Sequence, residues 1–169
     1  MAELAHFLFH AAVVGIGATL VMDAWWLCQK HVLGVPVLDY AMVGRWLGHL
    51  VHGRLRHAAI KNAPRVAGER AIGWMAHYAI GIGIAATLLG ATGVGWAHAP
   101  SPCPALAVGL ASVAAPFLVL QPALGAGLAA SRTPRPGVAR RRSLVTHLVF
   151  GLGLYLAGEG WVLLVRLAN

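Results

Sequence analysis

The interval from Ala71 to Ser131 constrains this chain most, because its 61 consecutive residues contain no Asp, Glu, Lys or Arg. A water-soluble domain carries about 25% charged residues, and no soluble core needs an uncharged stretch of this length. The whole chain shows the same bias, with 11% charged and 59% hydrophobic residues. The sequence therefore predicts that much of this protein is surrounded by lipid rather than by water.

Apolar segments of spanning length occur four times along the 169 residues. An α-helix needs about 20 residues to cross roughly 30 Å of hydrocarbon, because it rises ~1.5 Å per residue. The predicted spans are residues 5–29, 71–92, 105–130 and 143–165, with approximate ends. We therefore predict an all-α integral membrane protein, a single membrane domain over residues 1–169, whose four transmembrane helices form two hairpins.

The longest polar interval, Lys30–Tyr78, contains seven of the 13 Lys and Arg residues and five of the nine histidines. Within it, Arg45, His49 and His52 fall on one stripe of a helix drawn over residues 40–57. Apolar residues lie largely opposite to that stripe. This segregation predicts an interfacial amphipathic helix between the first and second spans.

Of the 13 basic residues, 12 lie on one side of the predicted topology, and the C-terminal tail holds the other, Arg166. Residues 30–70 hold seven and residues 132–142 hold five, whereas the N-terminus and the loop between the second and third spans hold none. Because cytoplasmic loops carry the excess of Lys and Arg, we expect both basic loops in the cytoplasm and both termini outside. Basic loops beside apolar spans suit anionic lipid headgroups, and nucleic acid is not an expected partner.

Each predicted span holds one polar residue at a similar depth: Asp23, His77, Gln121 and His147. Counted from the cytoplasmic ends of the spans at ~1.5 Å per residue, all four lie roughly 7–14 Å from that face. Small residues recur at helical spacing beside several of these positions, which is typical of helix–helix contact faces in membranes. We therefore predict that the four side chains point inward and form a polar layer across the bundle.

The polar layer supports several functions. Two histidines, a carboxylate and an amide suit a divalent transition metal, a proton relay or a small-ligand pocket. The structural alternative is that these groups hydrogen-bond to one another only to stabilise the bundle. Three classes therefore stay open: a metal, cofactor or small-ligand binding protein, a transporter of small solutes or protons, and an accessory subunit of a membrane complex. Hydrolase, P-loop and dinucleotide motifs are absent from the sequence, which gives no support to an enzymatic role.

Five further residues are candidates outside the polar layer. Arg45 and Glu69 lie on or near the covering loop and are predicted to cap the layer. His6 and His10 are one helical turn apart near the outer end of the first span, a spacing that can ligate a metal or haem but that also arises by chance. Glu159, between two glycines in the outer half of the fourth span, is a candidate for lining a polar path.

A short internal repeat is consistent with the hairpin arrangement. The pattern H-x-x-x-G-x-G occurs at residues 77–83 and again at residues 147–153. It suggests two helical hairpins related by a pseudo-two-fold axis along the membrane normal, as in some transporters. Glycine-rich apolar sequence also matches itself by chance, so the repeat is a hypothesis. Small bundles often pair through leftover small-residue faces, which makes a homo-oligomer or a membrane-complex partner a further hypothesis.

Several stretches distributed over most of the chain carry a family resemblance. They are Gly17–Asp23, Val43–Trp46, Gly68–Arg70, Gly73–Trp74, His77–Tyr78, Gln121–Ala123, and His147 with Gly151–Tyr155. Together they resemble a family of small bacterial inner-membrane proteins known as domain of unknown function 2938. The resemblance implies a four-span membrane protein and supplies no activity, substrate or cofactor.

Overall fold

The computed structural model describes residues 1–32, 34 and 38–168, and every regular element within them is helical. The α-helices are α1 (Ala2–His31), α2 (Tyr40–Leu50), α3 (Glu69–Thr92), α4 (Pro102–Ala111), α5 (Gln121–Leu124) and α6 (Pro136–Ala168). The shorter turns are three 3₁₀ turns (Ile60–Asn62, Val94–Ala97 and Leu128–Ala130) and a π-helical turn (Pro116–Leu120). Four helices, α1, α3, Pro102–Leu124 and α6, are long and apolar enough to cross a membrane. The predicted all-α fold with four spanning helices is confirmed.

The third candidate span, Pro102–Leu124, is an interrupted helix in which the π-helical turn precedes α5. Proline accounts for the interruption, because Pro116 and Pro122 have no N–H to donate to a carbonyl one turn back. The helix ends before residue 130, the end predicted from hydrophobicity, because Gly125 adopts a left-handed conformation with a φ of 97°. A glycine in this conformation is a common helix terminator.

The surface helix α2 is shorter than the amphipathic pattern indicates. It begins after Asp39, whose Oδ1 accepts a 3.0 Å hydrogen bond from the N–H of Ala41 and caps the first turn. It ends before residue 57, the predicted boundary, because the chain turns away at Gly53 with a φ of 76°. The carbonyl of His49 then accepts a hydrogen bond from the N–H of Arg54 at 3.1 Å.

The chain divides into two compact units. Unit 1 comprises Met1–Val35, Tyr78–Ser112 and Thr146–Asn169, and unit 2 comprises Pro36–His77 and Val113–Val145. Both α3 and α6 therefore begin in unit 2 and continue into unit 1 along the chain.

In unit 1, helices approach each other closely through glycines. A Cβ added to Gly15 of α1 would lie 2.5 Å from the Cα of Ile82 in α3, and one added to Gly109 of α4 would overlap the Cα of Gly151 in α6. Such backbone approach is typical of helix contacts in membranes. The largest fully buried side chains of the unit are Val14, Thr19, Leu88, Leu89, Phe150 and Leu154.

In unit 2, α2 lies directly against the first turns of α3. A Cβ on Gly44 would overlap the carbonyl group of Glu69, and a Cβ on Gly73 would overlap the carbonyl oxygen of Tyr40. The two glycines therefore allow the backbones to touch, and this contact fixes the side chains that α2 and α3 present to each other.

Candidate metal centre

Three histidines of unit 1 come together at the N-terminal end of α1. His6 and His10 lie one turn apart on that helix, and His98 follows the 3₁₀ turn at Val94–Ala97. One ring nitrogen from each histidine lies within 4.8 Å of those of the other two. We call this cluster the histidine triad. It contains both outer histidines singled out from the sequence and adds a third from a distant loop.

His10 is the buried member of the triad, with 2% of its surface exposed. Its Nδ1 lies 2.9 Å from the carbonyl oxygen of His6. Because a carbonyl only accepts, Nδ1 must carry the proton, so Nε2 presents a lone pair. Nε2 is buried and has no hydrogen-bond partner among the described residues. A ring held by an Nδ1–H bond to a backbone carbonyl, with its other nitrogen free, is the usual arrangement of a metal-ligating histidine.

The loop that carries His98 has an ordered conformation. It starts at Gly93, whose φ of 83° is one that glycine adopts readily and other residues rarely do. Trp96 anchors the loop, since it is 6% exposed and its Nε1 donates a 3.3 Å hydrogen bond to the carbonyl of Ser101. Gly158 of α6 leaves room for this ring, because a Cβ there would lie 3.2 Å from Trp96.

Aromatic rings surround one side of the triad. The ring of Phe9 lies edge-on to His10 at a centroid distance of 5.4 Å, and the ring of Trp161 lies edge-on to His10 at 5.8 Å. Phe9 and Trp161 also contact each other at 5.2 Å. These rings reduce the access of water to His10, whereas His6 and His98 are exposed and free to adjust.

The triad has the donor set of a transition-metal site. Neutral imidazoles suit Zn²⁺, Cu²⁺, Ni²⁺ and Co²⁺, and catalytic zinc sites use three protein ligands with a fourth position open. Metal–nitrogen bonds of about 2.0–2.1 Å require ligand nitrogens roughly 3.3 Å apart in a tetrahedral site. The three ring nitrogens, which lie within 4.8 Å of one another, would therefore have to move closer together to bind one ion. A haem iron takes at most two axial protein ligands, so three converging imidazoles favour a bare ion.

Two of the four polar-layer residues, Asp23 and His147, belong to unit 1 and have separate hydroxyl partners. The hydroxyl of Tyr78 donates a 2.8 Å hydrogen bond to Oδ2 of Asp23. The Oγ of Ser112 lies 2.7 Å from Nδ1 of His147 and donates a 2.6 Å bond to the carbonyl of Gly109. Because the single hydroxyl proton of Ser112 is used there, Nδ1 of His147 is the donor to Ser112.

The other two polar-layer residues, His77 and Gln121, belong to unit 2. The ring of His77 stacks on Tyr40 at a centroid distance of 4.2 Å and contacts Trp74 at 5.7 Å. Nε2 of Gln121 donates a 3.3 Å bond to Oγ of Ser143, while its Oε1 is buried without a partner among the described residues. A shared ligand site at these four residues stays a prediction.

Arg45 and Glu69, the predicted capping residues, pair with each other in unit 2. Two nitrogens of Arg45, Nε and Nη2, each donate a 2.8 Å bond to a different oxygen of Glu69. Nη1 of Arg45 donates to the carbonyls of Ile60, Lys61 and Ala63 at 3.2–3.3 Å. The bond to Glu69 raises the pKa of Arg45 above its ordinary value. This two-pronged ion pair fastens the loop after α2 to the start of α3.

A second histidine pair lies in unit 2, where Nδ1 of His49 is 2.7 Å from Nε2 of His57. The backbone N–H of His57 donates a 2.9 Å bond to the carbonyl of Ala123. Burial, followed by the charge of His49, lowers the pKa of His57 below its ordinary value of 6.5. The folded protein therefore resists protonation of His57.

This lowered pKa predicts that stability falls as the solution is acidified. Below about pH 6.5 the unfolded chain binds a proton at residue 57 that the folded chain binds more weakly, so the free energy of unfolding decreases as the pH falls through that value. His57→Gln should flatten the decrease. The check is the thermal unfolding midpoint between pH 7.5 and 5.5, with His52→Gln, an exposed histidine, as the control. Equal slopes for wild type and His57→Gln would contradict the assignment.

Glu159, the remaining outer candidate, is exposed on α6. Sequence reasoning missed His98, Tyr78, Ser112 and Trp161. Of these, only His98 could have been found from the sequence, because the lysine and arginine count predicts the same side of the membrane for its loop and for the N-terminus. The other three are recognised only from contacts between helices.

Comparison with known proteins assigns the chain to a family. The chain belongs to the family described as Protein of unknown function (DUF2938), whose profile matches residues 12–162. The resemblance seen in the sequence is thereby confirmed. His98 and Trp161 lie inside the matched range, and His6 and His10 precede it. No curated protein and no solved structure matches the chain.

Proposed function

We propose that this member of the DUF2938 family is a multi-pass membrane protein that binds one divalent transition-metal ion at the histidine triad. The observation that carries the proposal is the hydrogen bonding of the two ring nitrogens of His10. Its Nδ1 is engaged by the carbonyl of His6, and its buried Nε2 has no partner among the described residues. An unpaired buried acceptor costs about 1–3 kcal/mol, and a metal ion held jointly with His6 and His98 removes that cost.

The proposed site faces the outside of a bacterial inner membrane. This orientation rests on the basic residues, of which seven lie in residues 30–70 and five in residues 132–142. With both basic loops in the cytoplasm and in contact with anionic headgroups, the N-terminus and the loop that carries His98 lie outside. The ion would thus be taken from the outer compartment.

Three neutral imidazoles leave the full charge of the ion uncompensated by the protein. Their nitrogens disfavour Mg²⁺ and Ca²⁺, which prefer oxygen ligands, and favour the later first-row metals. The cluster contains no thiolate or carboxylate ligand among the described residues. We therefore propose Zn²⁺, Cu²⁺ or Ni²⁺ as the class of ion.

The test is a Co²⁺ titration of detergent-purified, chelator-treated protein from which any histidine tag has been cleaved. Co²⁺ accepts the same imidazole ligands as Zn²⁺ and gives visible absorption bands. One equivalent of Co²⁺ per chain should produce saturable bands, and Zn²⁺ should displace it. His98→Ala should reduce the Co²⁺ affinity by about 10–100-fold or more, since it removes a direct ligand and loss of a second-shell partner alone costs that much.

The matched control is His52→Ala, because His52 is exposed and lies in unit 2 rather than in the triad. This variant should bind Co²⁺ like the wild type. Absence of saturable Co²⁺ binding in the wild type would overturn the proposal. Binding of equal affinity in His98→Ala would do the same, because the ion would then be held elsewhere.

A small-ligand site in the cytoplasmic half is a second candidate, and one observation favours it. Oε1 of Gln121 is buried without a hydrogen-bond partner among the described residues. The same polar layer is also the basis of the two other functions considered, which are transport of small solutes or protons and an accessory role in a membrane complex. The described contacts give Asp23, His77 and His147 partners within their own units. We therefore place the first function at the histidine triad.

A further inference from the structure

Two rings in contact each carry a buried polar atom without a partner among the described residues, and the two atoms have opposite hydrogen-bonding character. Nε2 of His10 is an acceptor, because Nδ1 holds the ring proton. Nε1 of Trp161 is an N–H group and only donates. Both atoms are buried without a hydrogen-bond partner among the described residues. The rings that carry them are in edge contact, with centroids 5.8 Å apart and planes at 88°.

The donor and acceptor do not pair with each other, although such a bond would satisfy both. Something that accepts from Trp161 and is itself attached to His10 would remove both deficits. A metal ion on Nε2 of His10 satisfies the acceptor but cannot accept from an N–H group. The metal's own exogenous ligand can, because a bound water, hydroxide or anion has lone pairs directed away from the ion.

We propose that the fourth ligand position of the triad-bound metal is open to a water molecule, hydroxide or small anion that accepts a hydrogen bond from Nε1 of Trp161. This inference rests on the proposed metal site. Two properties of that site support the open position. Three imidazoles leave one of four coordination positions free, and neutral imidazoles leave the positive charge of the ion available to attract an anion. Trp161 acts as the positioning residue for that ligand.

Phe9 strengthens the case for a defined ligand position. Its ring contacts both Trp161, at 5.2 Å, and His10, at 5.4 Å. The two rings that border His10 therefore support each other. Since they shield this side of the site, the Trp161 N–H is desolvated, and a hydrogen bond that it donates to an anion is stronger than one in water.

The experiment uses the Co²⁺-loaded protein and azide as the probe anion. Azide should shift the visible bands of Co²⁺ in the wild type with a saturable dependence on concentration. Trp161→Phe keeps an aromatic ring against Phe9 and His10 but removes the N–H group. With its metal site saturated by Co²⁺, this variant should bind azide about tenfold more weakly, because a hydrogen bond to a charged group is lost.

Trp25→Phe provides the matched control. Nε1 of Trp25 is also buried and without a partner among the described residues. Trp25 lies 15 residues beyond His10 on α1, roughly 22 Å along the helix at ~1.5 Å per residue. Loss of its N–H should leave both Co²⁺ and azide binding unchanged.

The outcomes separate this inference from the metal site itself. If the wild type binds no Co²⁺, the metal site fails and this inference falls with it. If Co²⁺ binds but azide leaves the bands unchanged, or binds equally to wild type and Trp161→Phe, only the inference is overturned. Abolished Co²⁺ binding in Trp161→Phe also overturns it, because the ring would then serve only to pack His10.

Discussion

Replacing His10 by Ala is expected to lower the affinity for a divalent transition metal by more than about 100-fold, the largest loss of any single change in the triad. His10 is buried, and its bond to the carbonyl of His6 orients the ring and fixes the tautomer before the ion arrives. A preorganised ligand loses little conformational entropy on binding. His6→Ala should weaken binding less, because His6 is exposed and its ring must be immobilised by the ion.

The His10 prediction is checked by Co²⁺ titration and by thermal unfolding in the presence of Zn²⁺. An ion present at 100 times its dissociation constant stabilises the wild type by about 2.7 kcal/mol, because it binds only the folded state. This stabilisation should disappear in His10→Ala and persist in His52→Ala. A greater loss of affinity in His6→Ala than in His10→Ala would show that the buried ring is not the main ligand.

Replacing Glu69 by Gln is expected to lower the free energy of unfolding by up to about 3 kcal/mol, since removing one partner of a fully buried ion pair costs about 3–5 kcal/mol and Glu69 is only partly buried. Arg45 is 8% exposed, and two of its nitrogens donate to Glu69. Gln has nearly the same shape but offers one acceptor and no charge. The guanidinium would remain buried and charged, since arginine does not lose its proton in proteins.

Denaturation of the detergent-solubilised protein with sodium dodecyl sulfate measures this change. The control is Glu159→Gln, the same substitution at an exposed position of α6, which should change the free energy of unfolding by less than about 0.5 kcal/mol. Arg45→Lys should also destabilise, because one ammonium group cannot replace a two-pronged bond and reach the carbonyls of Ile60, Lys61 and Ala63 as well. Equal stabilities of Glu69→Gln and Glu159→Gln would contradict the proposed role of the pair.

Hydrophobicity predicted the four spanning helices. A segment that crosses lipid must be helical to satisfy its backbone hydrogen bonds and must be apolar over about 20 residues, and such a segment can be recognised from composition alone. Helix ends were less predictable. Hydrophobicity stays high past Leu124, yet Gly125 terminates the helix through its left-handed backbone conformation. The glycine at residue 53 likewise turns the chain after α2, although the pattern of polar residues continues.

In the candidate sites, residues close together in the sequence could likewise be predicted, whereas residues that only folding brings together could not. The spacing of His6 and His10 marks a shared helix face, so two members of the triad were visible in the sequence. His98 joins them only because a loop conformation set by Gly93 and Trp96 brings it there. Trp161 gives no signal in a search of the sequence for metal ligands, because an indole is not one, and its ring meets that of His10 only in the folded protein.

The depth of polar residues in the membrane stays a prediction, whereas their hydrogen-bond partners could not be predicted at all. Counting residues predicts similar depths for Asp23 and His147, because the helical rise is constant. Their hydroxyl partners, Tyr78 and Ser112, depend on how each helix is rotated about its axis. That rotation is set by close contacts between small residues, which a single sequence indicates only as a recurring spacing.

The contact between Gly109 of α4 and Gly151 of α6 limits how this protein can change during evolution. A Cβ on Gly109 would overlap the Cα of Gly151, and a Cβ on Gly151 would lie 3.3 Å from the Cα of Gly109. In most packed pairs, a larger residue on one side is accommodated by a smaller one on the other. Here both residues are already glycine, so the facing residue cannot become smaller to compensate. A larger residue at either position would therefore require α4 and α6 to move apart.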